Sequence, residues 1–392
     1  MTVRIDNPLL SEIMRCIHYA RPKLHIPSPF YNRIEKNGNF VSVWFLTSGC
    51  QWNTHSGCTM CNYGQGVVCN EEEIVDAVRK GLSAINVKVK RLLVSPSGSM
   101  LDPQEVPPNA RRRIYSLIRN FPSVEFAFET RAETITNELV QEITRSIPGK
   151  QLSIQMGLES SNAWIQRFCI NKGSHPNQFA DAAQILTTYR IKVYANISIG
   201  TAFLNPQEAI NDAVSSVQWA ISNGADVCML FPMHVKSYTL LFWLYQNGFY
   251  RPPSLWSLVE VLRLLDPKMQ RRTKIAWYRN YYEDMIPKLE NDEDSNIIAS
   301  PTTCPKCQER VLELLDAYCY CGEPCVIDDL HTMQCECKDV WKQKLGDVSL
   351  YSLPERVLRI YKEIASSFLS DAWWSGYGAE LEEELLNSYS AE

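Results

Sequence analysis

The chain has no run of about 18 apolar residues, which excludes a membrane-spanning helix. Its first ten residues, with Arg4 and Asp6 among them, hold no apolar signal core, so the expectation is a cytoplasmic protein. Positive charge is in short supply. Lys and Arg number 39 against 44 Asp and Glu, a net charge of −5 with a pI near 5.8. A broad nucleic-acid-binding face wants net positive charge, so only a local patch stays open. No internal repeat is visible. With 45% apolar and 21% charged residues, the chain is neither largely disordered nor fibrous. Its 392 residues suit two or three domains at roughly 150 residues each.

Cysteine, by contrast, is plentiful. Fourteen cysteines in a cytoplasmic chain of this size point to metal or redox chemistry rather than disulfides. Cys50, Cys58, Cys61 and Cys69 form one group. Cys304, Cys307, Cys319, Cys321, Cys325, Cys335 and Cys337 form a second. Cys16, Cys169 and Cys228 stand alone and read as small buried hydrophobes.

Six β-branched or apolar runs recur with helical stretches between them: 41–47, 91–95, 125–129, 151–157, 192–199 and 227–231. Asn70 before Glu71-Glu72-Glu73 and Asn205 before Pro206 are helix starts, and Gly224 stops the second helix. Strands alternating with helices imply parallel pairing through right-handed crossovers. Six units fall short of the eight in a closed barrel. The expected fold is α/β, a partial (β/α)6 TIM-like barrel with a C-terminal cysteine-rich metal-binding domain. A doubly wound open sheet is the rival. Residues 1–40 form an N-terminal extension, 41–286 the barrel and 287–392 the cysteine-rich region with a helical tail. The polar stretch 288–303 is read as a linker. In either fold the chemistry belongs at the carboxyl ends of the strands.

Cys50, Cys58 and Cys61 follow the first strand directly, spaced by seven residues and then two. Three thiolates on one loop can hold three irons of a [4Fe-4S] cube and leave the fourth open to a chelating cofactor. Gly49, Gly57 and Gly64 give the loop the backbone freedom to wrap a cluster. The alternative is a closed zinc site with His55 as fourth ligand.

The chain resembles the radical S-adenosylmethionine (SAM) superfamily, and within it the archaeosine-forming branch. The motifs are TSGCQWNTHSGCTMCNYG (47–64), SPSGSMLDPQEVP (95–107), FETRAETIT (128–136), QMGLES (155–160), FLNPQEAINDA (203–213) and YRPPSLWSLVEVL (250–262). The gap of seven, where most of the superfamily has three, occurs in that branch. The resemblance implies that a reduced cluster passes one electron to SAM. A 5′-deoxyadenosyl radical then takes hydrogen from a substrate. It implies a flavodoxin- or ferredoxin-type electron donor. It also implies that Ser97, Gly98 and Ser99 meet the cofactor's methionyl amino group. Glu129, Gln155 and Glu159 at strand ends can bind ribose hydroxyls or the ammonium, and Arg131 the carboxylate. Ser198 lies where adenine is held, and Tyr63 can stack on adenine. Each of these has a plainer reading as a turn, an ion pair or a core residue. His234 after the sixth strand is a candidate substrate contact, or a packed residue. The aromatic stretch Trp277 to Tyr282 can stack bases or fill a core.

The archaeosine-like enzymes share the outer pairs of the second group, here Cys304, Cys307, Cys335 and Cys337, as a zinc or cluster site. Cys319, Cys321 and Cys325 are then extra. They can hold an auxiliary [4Fe-4S] cluster with an open iron, as sulfur-inserting enzymes do. A single zinc with spare thiols is the alternative. On that basis the favoured expectation is hydrogen abstraction from a small polar, nucleoside-like substrate with sulfur insertion. The acidic balance speaks against binding a whole tRNA. Two other readings stand beside it. One is archaeosine-type modification of a 7-deazaguanine base in tRNA with a partner enzyme; the other is a non-enzymatic, zinc-stapled binding module.

Overall fold

The computed structural model describes residues 6–21, 30–34, 40–64, 68–279, 297–346 and 349–390. Asn280, Tyr281, Tyr282 and the linker over 288–296 lie outside the described residues, as do 1–5, 22–29 and 35–39 of the N-terminal extension.

Ten strands are present among the described residues. They are β1 (Phe30–Ile34), β2 (Phe40–Phe45), β3 (Val89–Pro96), β4 (Ser123–Thr130), β5 (Gln151–Glu159), β6 (Lys192–Ile199), β7 (Val227–Pro232), β8 (Val235–Lys236), β9 (Thr273–Ile275) and β10 (Ile297–Ala299). Eight form one sheet in the order β1-β2-β3-β4-β5-β6-β7-β9. Strands β2 to β9 of that sheet pair in parallel, and β1 pairs antiparallel with β2 at the edge. Spatial order follows chain order without the reversal that marks a doubly wound sheet, so the partial (β/α) barrel is what forms. The six strands read from the sequence are β2 to β7. The short β9 adds a seventh parallel strand.

Alternation explains the layering. A strand sends successive side chains to opposite faces. Val41, Val43 and Phe45 of β2, Phe126 and Phe128 of β4, and Val193, Ala195, Ile197 and Ile199 of β6 pack into the core under the crossover helices. The intervening residues face the other way and are mostly polar: Ser42, Arg91, Ser95, Glu125, Glu129, Ser153, Gln155, Asn196 and Ser198. The concave face is therefore a polar lumen, and the apolar face is sealed by helices.

The crossover helices start where the sequence says they should. Asn70 and Asn205 each close a capping box, with Glu73 and Glu208 returning the bond. Gly224 adopts φ +97° just past the end of the second of these helices.

The cysteine-rich segment shares the barrel's core. Val311, Leu315, Tyr318, Ile327, Leu330 and Trp341 join the same apolar cluster as the sheet. The tail helices Leu353–Phe368 and Asp371–Tyr389 enter a second cluster with the helix Pro8–Ala20, Phe168 to Ile170 and Cys58 itself. Burying one large side chain of this kind is worth about 1.5–3 kcal/mol. Polar ties reinforce it: Asn7 Nδ2 donates to Tyr361 Oη at 2.9 Å, and Trp164 Nε1 to the Leu385 carbonyl at 2.9 Å. No helix among the described residues is long and apolar enough to cross a membrane.

Candidate active site

The loop after β2 carries Cys50, Cys58 and Cys61 at the carboxyl end of the sheet. It closes on itself through Cys50 N–H to the Tyr63 carbonyl at 2.8 Å. Buried Asn53 braces it from inside, donating to the Cys61 carbonyl at 3.0 Å and accepting from Gly64 N–H at 2.6 Å. Neighbouring segments pin it from outside. Thr59 N–H donates to the Ile170 carbonyl at 2.8 Å, and its carbonyl accepts from Leu241 N–H at 2.9 Å. Trp52 Nε1 donates to the Asn171 carbonyl at 2.9 Å.

Burial pushes the Cys50 thiol up to about 11 and raises Cys58 and Cys61 as well. Left alone, these thiols stay protonated; a bound cation inverts that preference and takes them as thiolates. His55 does not complete a zinc shell here. It is exposed, and its Nδ1 lies 2.8 Å from the Gln51 carbonyl of its own helix. Among the described residues, the one group whose ligand atoms crowd within 4.8 Å is elsewhere. The loop therefore offers a metal three thiols and no imidazole.

Around the trio stand the ends of β3 to β6. Gly98 sits so tightly that a Cβ there would lie 2.0 Å from Glu105 Oε2 and 3.3 Å from Cys50 N. Ser99 bonds Thr130 Oγ1 at 2.6 Å, and Ser97 N–H donates to the Phe45 carbonyl at 3.1 Å. Burial pushes the Glu105 and Glu129 carboxyls up to about 7. Glu105 accepts from Gln51 N–H at 3.0 Å and from Ser99 N–H.

Arg131 is committed within the protein. It pairs with Asp102, with Glu105 at 3.3 Å and with Glu133 at 2.8 Å, and its Nη1 lies 3.5 Å from Cys50 Sγ. A second cation at the mouth is Lys172, which the motifs did not single out. Lys172 Nζ lies 3.1 Å from Glu159 Oε1, and Glu159 also accepts from Ser198 Oγ. Gly157 makes room for this pair: a Cβ there would meet Lys172 Nζ at 2.6 Å. Lys172 lies in the loop after β5, thirteen residues past Glu159, and only the folded loop brings them together. Tyr63 presents its ring to Lys236, whose Nζ is 4.9 Å from the centroid.

His234, a candidate substrate contact by sequence, is bonded on both sides within the protein. Its Nδ1 meets Ser300 Oγ at 3.1 Å and its Nε2 meets the Trp277 carbonyl, so both nitrogens are used. Burial pushes it down to about 4, so it is neutral.

The second cysteine group divides. Cys304, Cys307, Cys335 and Cys337 converge, with Sγ–Sγ distances of 3.5 to 3.6 Å along four edges. A tetrahedral ion with sulfur at about 2.3 Å sets those edges near 3.8 Å, so the four fit one metal. Trp256 Nε1 donates to Cys337 Sγ at 3.3 Å, tying the site to the barrel's helix layer. Cys319, Cys321 and Cys325 are exposed on the ends of the helices Gln308–Cys321 and Pro324–Thr332. Cys319 Sγ turns to the Ile275 carbonyl at 3.6 Å, and Cys321 Sγ accepts from Glu323 N–H at 3.3 Å.

Three cysteines at the mouth of a partial parallel barrel, beside a lumen of carboxylates and a lysine–glutamate pair, are the arrangement that the resemblance to the radical SAM superfamily leads one to expect. No protein-family profile matches the chain. Among solved structures, methylornithine synthase overlays with a TM-score of 0.44 at 13% identity, covering 68% of this chain and 69% of that one. Coproporphyrinogen III oxidase from Escherichia coli, a radical SAM enzyme, gives 0.42 at 13%, covering 71% and 59%. The sequence relatives are the stronger finding. The archaeosine synthase subunit beta of Methanosarcina acetivorans is 31% identical over 313 residues, covering 78% of this chain and 84% of the relative. That of Thermococcus kodakarensis is 31% identical over 234 residues, covering 58% and 72%. The chain belongs to the archaeosine synthase subunit beta family.

Proposed function

We propose that this chain is the radical-generating subunit of an archaeosine-type synthase. It acts on a 7-deazaguanine-type base held in tRNA and works beside a partner subunit. The observation that carries this is the 31% identity across 84% of a relative of that name. The net charge of −5 is no obstacle for a subunit whose partner can bring the RNA.

When bound, the cluster and SAM supply one-electron cleavage of a carbon–sulfur bond and, through it, hydrogen abstraction from carbon. The protein's part is to hold and orient. Cys50, Cys58 and Cys61 hold three irons. Glu129, which accepts from Gln155 at 2.9 Å and from Asn196, takes the cofactor's ammonium. Lys172 takes its carboxylate, and Glu159 with Ser198 its ribose hydroxyls. Ser97, Gly98 and Ser99 line the amino-acid end, and Tyr63 the adenine end. Arg131 stays beside Cys50 as part of the loop's support. Cys304, Cys307, Cys335 and Cys337 hold a zinc ion that fastens the C-terminal segment. A flavodoxin- or ferredoxin-type protein supplies the electron.

Sulfur insertion needs Cys319, Cys321 and Cys325 to hold a second cluster beside the substrate. Their exposure on two helix ends gives that reading no support. The test is anaerobic incubation of the iron-reconstituted protein with SAM and dithionite, with and without tRNA carrying a 7-deazaguanine base. Formation of 5′-deoxyadenosine that depends on that tRNA supports the proposal. Formation unchanged by tRNA, or formation of a thiolated product, contradicts it.

A further inference from the structure

The lumen carries a chain of side chains that the cofactor site does not itself explain. It begins at the amino ends of the strands. Glu125 Oε1 accepts from Arg91 Nε at 2.9 Å and from Ser153 Oγ at 2.7 Å, and its Oε2 faces Lys192 Nζ at 3.3 Å. The Arg91 guanidinium lies over two rings, 4.5 Å from the Tyr194 centroid and 5.3 Å from that of Phe40. It is therefore fixed in plane and in position. Its Nη2 then donates to Gln155 Oε1 at 2.7 Å, and Gln155 Nε2 donates to Glu129 Oε1 at 2.9 Å.

We propose that Arg91 is a positioning residue for the cofactor: from the floor of the barrel it sets the direction of the Gln155 amide and, through it, holds the Glu129 carboxylate. The reasoning is one of donors and acceptors. A guanidinium has only donors. The amide oxygen of Gln155 must therefore face Arg91, and its NH2 must face Glu129. A flipped amide sets donor against donor at one end and acceptor against acceptor at the other, losing both bonds. Arg91 thus decides, from two side chains away, that Glu129 receives an N–H.

The consequence is electrostatic. Glu129 is half-buried with its carboxyl turned into the lumen, and this desolvation favours its neutral form. The charged groups acting on it are Glu159 from the end of β5, which opposes its ionisation, and Arg91 from β3, which favours it. Gln155 and Asn196 donate to it and favour the carboxylate. Losing Arg91 frees the amide to turn, removes one donor and removes the nearby positive charge. Glu129 then holds its proton to higher pH and meets an ammonium poorly.

This inference rests on the reading that Glu129 takes the ammonium of SAM, and the experiment separates the two. Equilibrium binding of SAM is measured on the iron-reconstituted protein between pH 6 and 9, with cluster absorbance checked for each variant. Arg91→Met should raise Kd about tenfold at pH 7, the scale of one hydrogen bond to a charged group. It should also move the pH midpoint for binding upward. Arg91→Lys, which also only donates, should restore most of the affinity. Gln155→Leu should show the same loss and the same upward shift, and the double variant should lose little more than either alone. Should Arg91→Met not fold, Gln155→Leu carries the test, since it leaves the floor intact. If wild-type protein binds SAM and either variant that retains its cluster binds it equally with an unmoved midpoint, the relay is overturned. If wild-type protein does not bind SAM, the reading of the site fails instead.

Discussion

Lys172 Nζ stands 3.1 Å from Glu159 Oε1, and Cys58, buried among apolar side chains, senses the same lysine charge. One ammonium thus acts on both the three-cysteine loop and the end of β5. It lies in a loop with no motif of its own, and its position is set by the fold.

Lys172→Met should cost stability as well as binding. Removing one partner of this half-buried pair leaves the other charge poorly compensated, at up to about 3 kcal/mol, the low end of the cost for a fully buried pair. The melting temperature should fall, and SAM affinity with it. Adding Glu159→Gln should recover much of the melting temperature and none of the affinity. Calorimetry beside SAM titration reads both.

Cys58→Ala should abolish SAM cleavage and lower the iron content, because two thiolates remain where the cube needs three. Cys321→Ala should leave iron content, cleavage and product unchanged. Metal analysis and mass spectrometry of the reaction mixture check the pair.

Removing the ion from the four-cysteine site should act on the barrel wall. Cys307 is 3% exposed and packs in the main core, and Trp256 bonds Cys337. Cys307→Ser, or a zinc chelator, should shift tryptophan emission to the red and lower the melting temperature. The iron absorbance of the barrel should persist.

Glu105 and Glu129 give the protein without SAM a definite pH response. Both carboxyls are raised from about 4.3 in the unfolded chain to about 7 in the fold. A group whose folded pKa is raised stabilises fully below its unfolded value. That contribution is lost as pH climbs through the folded value. Stability from these two groups should therefore fall between about pH 4.3 and 7, by on the order of 3–4 kcal/mol each. Glu105→Gln should flatten the slope of melting temperature against pH over that window.

Much of this was legible locally. The strands from β2 to β7 announce themselves by apolar runs bounded by caps such as Asn70 and Asn205, and the three cysteines by their spacing on a loop after a strand. What was not legible depends on side chains meeting from distant strands. Arg131 sits in a motif, but Asp102 and Glu105, which occupy it, come from another loop. His234 gave no sign that Ser300 and Trp277 would take both its nitrogens. Cys319, Cys321 and Cys325 share a stretch with four metal-fitting cysteines. Helix geometry sends Cys319 and Cys321 to different faces, because residues two apart do not face each other. The short β9, at three residues, is below the length at which alternation can be read.

Metal counting in anaerobically reconstituted protein tests the three-cysteine site most directly. A single cube bound by Cys50, Cys58 and Cys61, with one tetrahedral ion on the C-terminal four, predicts about four irons and about one zinc per chain. Two zincs and no iron would show that the mouth of the barrel holds a simple ion, and the radical chemistry assigned to it would have to be withdrawn.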